Sequence, residues 1–160
     1  MVGLTRLSVH PLLRRLLLLQ TRKPEVMHSY LIDLKTVEDT RGLLTAVEGA
    51  QDIPFEIKRI FYLYHVSADR GGHALIDTDQ VLIPIHGKLK VKLFNGKETE
   101  EYLMDDCTKG LYIPRLYFTN MYEFTPETVC LVLASTHYDM SRYLRSMDAY
   151  MTYLKDNHMI

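Results

Sequence analysis

The segment from Arg70 to Gly87, RGGHALIDTDQVLIPIHG, constrains the fold more than any other part of this 160-residue chain. It begins with a glycine pair and His73, passes through the acidic turn Asp77-Thr78-Asp79, and continues as the apolar run from Gln80 to Ile85. Two short strands hinged by an acidic turn and closed by glycine are typical of a small antiparallel barrel. We therefore predict that the chain folds around these two strands as an all-β protein.

Other strand-like patterns recur at regular spacing along the chain. After Ser135 the apolar residues change to helical spacing, which predicts one amphipathic helix covering Met140 to Leu154. Asn95-Gly96 predicts a hairpin of the two-residue kind. The remaining predicted strands are 30–34, 43–48, 57–65, 89–94, 98–103, 110–114, 117–124 and 129–134. Many short strands and a final helix indicate one domain, residues 27–160, with a jelly-roll β-barrel and a C-terminal α-helix.

The first 26 residues are predicted to form an extension outside this fold. They carry five basic residues and one acidic residue, and their run from Leu12 to Leu19 is too short and too charged to span a membrane. Neither an unbroken apolar core nor a clear cleavage site for secretion is present. A misassigned start codon is the favoured interpretation, and a mitochondrial presequence is the alternative.

Charge and cysteine content exclude several classes of protein. Residues 27–160 carry five more acidic than basic side chains, so this domain is a poor candidate for binding nucleic acid non-specifically. Cys107 and Cys130 are too few and too far apart to form a disulfide framework. Reduced thiols predict a cytoplasmic protein.

The spacing within the Arg70–Gly87 segment resembles the metal-binding motif of cupin barrels. That motif has two histidines one residue apart and then a glutamate, and here these positions are His73, Leu75 and Gln80. Leucine cannot bind a cation, and a neutral amide replaces carboxylate poorly in a transition-metal site. The later histidine of the motif is also missing from the run around 118–119. We therefore expect no metal and no cofactor.

His73 is the candidate catalytic base. A lone histidine is most often structural, but a residue just before a barrel strand lies near the mouth, where ligands enter. Imidazole titrates near neutral pH and can remove a carbon-bound proton that a neighbouring carbonyl has acidified. This pattern favours proton abstraction next to a ketone over redox chemistry, which would need a cofactor.

Arg59 lies on the same face of its predicted strand as Ile57, Phe61 and Leu63. Two interpretations are open for a cation at such a position. In the first, Arg59 lies at the end of the strand and its guanidinium group reaches solvent. In the second, the guanidinium group lies inside the barrel and binds an anionic ligand.

Several motifs occur in one order along the chain. They are Asp39-x-Arg41-Gly42, Ile53-Pro54-Phe55-x-Ile57-Lys58-Arg59, Arg70-Gly71-x-His73, Gln80-Val81-Leu82, Gly110-Leu111-Tyr112-Ile113 and Val132-Leu133-Ala134-Ser135-x-x-Tyr138-Asp139. From about residue 30 to residue 153 the chain resembles the WxcM-like cupins, the dTDP-4-keto-6-deoxyglucose 3,4-ketoisomerases of bacterial surface-sugar pathways. The resemblance implies a metal-free, RmlC-like jelly roll, a homodimer that exchanges N-terminal strands, and a dTDP-linked 4-keto-6-deoxyhexose as substrate. The carbonyl would move from C4 to C3 through an enediol.

The resemblance also implies site residues. His73 and Tyr62 are the candidate catalytic residues. The candidate substrate-binding residues are Arg41, Arg59, Arg70, Gln80, Tyr112, Arg115, Phe118 and Asn120. The chain departs from the family at four places. Leu75 replaces a second histidine, and Phe61-Tyr62 replaces a pair of tyrosines. Pro114-Arg115 replaces a Gly-Pro pair, and Phe118-Thr119 replaces a tryptophan followed by histidine or arginine.

Three functions remain open at this point. The first is the ketoisomerase, with His73 removing the C3 proton and a tyrosine or water returning a proton at C4. The second is a sugar-nucleotide-binding protein without catalytic activity, which would act as a regulator or partner subunit. The third is a related reaction such as epimerisation that uses the same base.

Overall fold

The computed structural model describes residues 27–160, and the predicted extension 1–26 lies outside this range. The strands are β1 (Tyr30–Asp33), β2 (Thr36–Asp39), β3 (Gly42–Thr45), β4 (Arg59–Leu63), β5 (Arg70–Leu75), β6 (Gln80–His86), β7 (Leu89–Phe94), β8 (Thr99–Met104), β9 (Lys109–Ile113), β10 (Phe118–Tyr122), β11 (Val129–Ala134) and β12 (Tyr143–Leu144). A 3₁₀ turn at Met140–Arg142 precedes β12, and the helix α1 covers Met147–Asp156.

The strands form two five-stranded antiparallel sheets and one separate hairpin. The first sheet has the order β1-β9-β6-β11-β4, the second has the order β12-β5-β10-β7-β8, and β2 pairs only with β3. Strands 5 and 6 belong to different sheets although they adjoin in sequence, as in a jelly roll. The predicted all-β jelly roll with a C-terminal helix is confirmed.

Both sheets bury side chains on both faces, so the protein has three apolar layers. The layer between the sheets contains Leu82, Leu89, Val91, Leu93, Met104, Leu111, Ile113, Tyr117, Cys130 and Val132. The layer outside the first sheet contains Leu34, Ile53, Phe55, Val81, Ile83, Tyr112 and Leu133. The layer between the second sheet and α1 contains Ala74, Phe118, Tyr150 and Leu154. Because residues alternate across a strand, neighbours in sequence belong to different layers.

The predicted helix over Met140 to Leu154 is wrong in its first half. Tyr143 and Leu144 extend as β12 and pair with Leu75 and Ala74 of β5. The helix starts only at Met147, because the Ser146 side chain accepts a hydrogen bond from the Ala149 N–H at 3.1 Å and caps it. The consequence for function is that Tyr143 lies on a sheet edge beside β5.

The predicted hairpin between β7 and β8 is present, but its two-residue turn is wrong. Phe94 pairs with Thr99, which leaves the loop 95–98 between the strands. The Asn95 side-chain oxygen accepts hydrogen bonds from the backbone N–H groups of Lys97 and Glu98 at 2.9 and 2.8 Å. This side-chain turn replaces the tighter backbone turn. Strand β2 was also absent from the prediction.

Candidate active site

A cavity of about 390 Å³ opens between the two sheets. Its volume lies within the range of small-molecule sites. Its lining residues are Phe61, Leu63, Asp69, Arg70, Gly71, His73, Gln80, Leu82, Ile113, Thr119, Met121, Val132 and Tyr143. One wall is apolar and comes from β4, β6 and β11, while the polar groups come mainly from β5 and its neighbours. Such a cavity can hold an organic ligand against an apolar wall and present polar groups to it.

The His73 ring is held in one tautomer. Its Nδ1 lies 3.0 Å from the carbonyl oxygen of Gly71, which can only accept a hydrogen bond. Nδ1 therefore carries the proton in the neutral ring, and Nε2 keeps a free lone pair. The ring also contacts the Tyr143 ring, with 5.0 Å between their centroids. His73 thus presents a fixed proton acceptor in the wall of the cavity.

The surroundings of His73 favour its neutral form. Burial lowers the pKa of the imidazole, the hydrogen bond to Gly71 opposes this effect, and the positive charge of Arg145 lowers the pKa further. Arg145 is itself held over the Tyr143 ring, 5.3 Å from its centroid. A lowered pKa keeps the ring unprotonated at neutral pH, which is the form that a general base requires.

Three of the expected substrate-binding residues lie at or beside the cavity. Arg70 and Gln80 line it. Arg59 lies at its edge, with the guanidinium carbon 5.3 Å from the Phe61 ring centroid and 5.4 Å from that of Tyr138. The Arg59 Nε is buried without a hydrogen-bond partner among residues 27–160. Arg59 as a whole is only partly buried and is not among the lining residues, so its contact with an anionic ligand stays a prediction.

Four of the expected site residues lie on strand faces that point away from the cavity. Tyr62 alternates with the cavity residues of β4, and 61% of its surface is exposed on the outer face. Tyr112 belongs to the apolar layer outside the first sheet. Phe118 packs under α1 against Tyr150, and Asn120 shares that strand face. Tyr62 therefore does not line the cavity that contains His73, which corrects its expected place there as a second catalytic residue.

The remaining two expected residues form ion pairs at other places. Arg41 lies in the β2–β3 turn with its side chain 88% exposed, and it pairs with Asp39. Arg115 binds Asp79 through its backbone N–H at 2.9 Å and through its guanidinium group at 3.1 and 2.8 Å. Asp79 is buried, so this pair fixes the turn between β5 and β6. Neither arginine lines the cavity.

Sequence reasoning missed three polar residues of the cavity, namely Asp69, Tyr143 and Thr119. Asp69 directly precedes β5, outside every predicted strand. Tyr143 lies within the predicted helix, and no local signal marks it as a strand residue. Thr119 differs in the sequence only as a replaced family position. The alternation of β10 contains the signal that could have identified it, because Thr119 and Met121 share the inner face.

Comparisons with known proteins agree with this architecture. The family model described as FdtA: WxcM-like, C-terminal matches residues 27–155. A TDP-4-oxo-6-deoxy-alpha-D-glucose-3,4-oxoisomerase from Aneurinibacillus thermoaerophilus is 35% identical over 130 residues, which cover 80% of this chain and 94% of that protein.

Solved structures give the same result. The sugar 3,4-ketoisomerase QdtA from Thermoanaerobacterium thermosaccharolyticum, in complex with TDP, has a TM-score of 0.78 and 38% identity, and the match covers 83% of this chain and 98% of that one. A 3,4-ketoisomerase from Helicobacter canadensis has a TM-score of 0.78 and 32% identity, covering 81% and 99%. The rmlC epimerase of Mycobacterium tuberculosis, at 14% identity and a TM-score of 0.63, covers 76% and 70% and shows the fold alone. The chain belongs to the WxcM-like family whose model matches residues 27–155.

Proposed function

We propose that this protein is a sugar-nucleotide isomerase that moves the keto group of a dTDP-4-keto-6-deoxyhexose from C4 to C3. The observation that carries the proposal is the fixed His73 ring in the cavity, with Nδ1 bound to Gly71 and Nε2 free. The solved relatives include 3,4-ketoisomerases with TDP bound, which supports the substrate class. The reaction would belong to deoxysugar biosynthesis, and a cytoplasmic location stays a prediction.

The proposed mechanism needs one base and a polar environment for negative charge. His73 Nε2 removes the proton from C3, which the C4 carbonyl acidifies, and the enediol forms. The enediol carries a proton taken up at O4. A proton is then delivered to C4 while O3 loses its proton, so that the carbonyl is now at C3. No step needs an oxidant or reductant, because the reaction only relocates hydrogen atoms within the sugar. Among residues 27–160, no three His, Cys, Asp or Glu side chains lie close enough together to hold a metal ion. The expected absence of a metal stays a prediction.

Two arginines at the cavity support an anionic ligand, and together they outweigh the one carboxylate that residues 27–160 contribute to its lining, Asp69. Arg70 lines the cavity, and Arg59, whose Nε atom is buried, lies at its edge beside Phe61. A guanidinium group binds phosphate oxygens well because its N–H groups form a planar fork. We infer that these two arginines hold the diphosphate while the sugar reaches His73.

One observation favours a second candidate, a sugar-nucleotide-binding protein without catalytic activity. Leu75 lies two residues after His73 and is only 5% exposed, and its side chain cannot transfer a proton. The ring of Phe61 also lacks a hydroxyl group where it lines the cavity. Both proposals predict binding of dTDP, and only the first predicts chemistry on the sugar.

A deuterium-exchange experiment separates the two candidates. We expect the protein to incorporate deuterium from solvent into dTDP-4-keto-6-deoxyglucose and to produce the 3-keto isomer, both followed by NMR. Label without a shifted carbonyl would indicate an epimerase-like reaction. Binding of dTDP by calorimetry without any label would refute the isomerase and support the binding protein.

We also propose that the protein is a homodimer in which the N-terminal strands exchange. The exchanged strands would be β2 and β3, since β1 pairs with β9 of its own chain. Among residues 27–160 the β2–β3 hairpin pairs only with itself, and an isolated two-stranded hairpin is marginally stable in water. Its apolar side chains are exposed, with Val37 at 54%, Leu43 at 69% and Leu44 at 63%. Packing against a second copy would bury them.

The double substitution Leu43→Lys/Leu44→Lys tests the dimer. We expect light scattering to give twice the chain mass for the unmodified protein and the single chain mass for the variant, because two charges cannot be buried in an apolar interface. The matched control is Leu103→Lys, an equally exposed leucine on β8. An unmodified protein that runs as a monomer, or a double variant that stays dimeric, would refute this arrangement.

A further inference from the structure

A small recess extends the floor of the cavity. Its volume is about 10 Å³, close to the space that one oxygen atom or one water molecule needs. It shares four lining residues with the larger cavity, namely His73, Gln80, Ile113 and Thr119. Leu75, Thr78, Pro114 and Tyr117 complete its wall. A ligand beside His73 therefore lies next to this recess.

Tyr117 is the unusual residue of the recess. Its side chain is 5% exposed, and its hydroxyl group is buried with no hydrogen-bond partner in the part of the chain that the structure describes. The other deeply buried tyrosine that packs nearby, Tyr150, donates to the carbonyl groups of Phe94 and Leu116 at 3.1 and 2.8 Å. A buried hydroxyl without a partner is costly, and such groups in folded proteins call for an explanation.

The backbone before Tyr117 is held in a conformation that leucine rarely adopts. Leu116 has a φ of +63°. Its N–H donates to the carbonyl of Leu75 at 2.7 Å, and its own carbonyl accepts the bond from Tyr150. Tyr117 follows directly and joins Thr119 and Met121 on the inner side of the second sheet. Strained backbone of this kind persists where the surrounding structure fixes it, often beside a functional site.

We propose that the Tyr117 hydroxyl donates a hydrogen bond to the sugar oxygen that becomes negatively charged when His73 removes the proton. This inference rests on the proposed isomerase function. The Leu75 side chain brings no polar atom to the recess, whereas Tyr117, which directly precedes the neighbouring strand β10 of the same sheet, lines the recess and carries the unpartnered hydroxyl group. A donor that is desolvated and already in place stabilises a developing oxyanion strongly, because it needs no reorganisation. Its missing partner in the free protein is then supplied by the substrate.

The substitution Tyr117→Phe tests this role, because it removes only the hydroxyl group. We expect kcat for isomerisation to fall about 10²-fold with little change in KM. Binding of TDP should not change, since the nucleotide is held elsewhere. The melting temperature should stay the same or rise, because no protein hydrogen bond is lost.

The matched control is Tyr102→Phe. Its hydroxyl contacts Glu100 at 2.7 Å and Ser29 at 3.0 Å, and it lines neither the cavity nor the recess. We expect Tyr102→Phe to melt at a lower temperature and to keep its kcat for isomerisation, which is the opposite of the result expected for Tyr117→Phe. If Tyr117→Phe keeps kcat within about twofold, or if it melts lower than the unmodified protein, the inference is overturned while the isomerase function stands. An unmodified protein without isomerisation would overturn both.

Discussion

The His73→Asn variant is expected to lose deuterium exchange and isomerisation by about 10²–10⁴-fold, the usual contribution of a general base. Asparagine is well suited to this test because its amide N–H can still donate to the Gly71 carbonyl, which His73 Nδ1 contacts at 3.0 Å. The substitution therefore removes the free Nε2 and leaves the local hydrogen bond possible. NMR of the sugar in deuterated water measures the loss, and calorimetry with TDP shows whether the cavity still binds nucleotide.

The control is His86→Asn, an exposed histidine at the far end of β6.

The rate of the unmodified protein should also fall as the pH is lowered and His73 becomes protonated. Burial lowers the pKa of His73, so the neutral base persists to lower pH, and the acid side of kcat/KM should have its midpoint below about 6.5, the ordinary histidine value. Exchange that survives in His73→Asn, or a midpoint clearly above that value, would contradict His73 as the base.

The sequence predicted which residues share a strand face in β4. In β4, the predicted inner face of Arg59, Phe61 and Leu63 is the face that meets the cavity and its edge. The two-residue period of a strand is the physical reason, and Ile60 and Tyr62 accordingly lie on the other face, where they are 58% and 61% exposed. The placement of Tyr62 could have been predicted from the same alternation.

Alternation gives no such information in β9, which is buried on both faces. Leu111, Tyr112 and Ile113 are all nearly inaccessible to solvent. Leu111 and Ile113 pack in the layer between the two sheets, and Tyr112 packs in the layer outside the first sheet. A run of apolar residues cannot show which residue faces which layer. The same ambiguity affected Phe118 and Thr119, both buried on opposite faces of β10.

Contacts between residues far apart in sequence were the second limit on predicting the site from the sequence. Arg115 meets Asp79 across 36 positions of sequence, and that contact uses the guanidinium group that was expected to bind substrate. Tyr143 reaches the cavity only because β12 pairs with β5. Helical spacing of the apolar residues around Tyr143 pointed to a different element. Contacts of this kind depend on the assembled sheets and leave no local pattern.

The second large effect is expected at Gly71, which lies where β5 passes β10 with a shift in register. Gly71 has a φ of +92°, and a Cβ added there would lie 2.3 Å from the backbone carbonyl oxygen of Thr119. Backbone atoms of a central strand cannot move aside as a flexible side chain can. We expect Gly71→Ala to lower the free energy of unfolding by about 3 kcal/mol or more, from left-handed strain and steric overlap together. Because the Gly71 carbonyl also fixes His73, isomerisation should fall in the protein that remains folded.

The adjacent glycine provides a matched control for that substitution. Gly72 also has a positive φ, +68°, but the nearest atom to an added Cβ is the Asn120 side-chain oxygen at 3.9 Å. Gly72→Ala should therefore cost only the left-handed strain, about 1 kcal/mol, and should keep its activity. Urea unfolding of the two variants measures the difference, with the rate of deuterium exchange recorded on the same samples. Equal unfolding midpoints would show that β5 and β10 can separate at this point, and the rigid placement of His73 by Gly71 would then have to be given up.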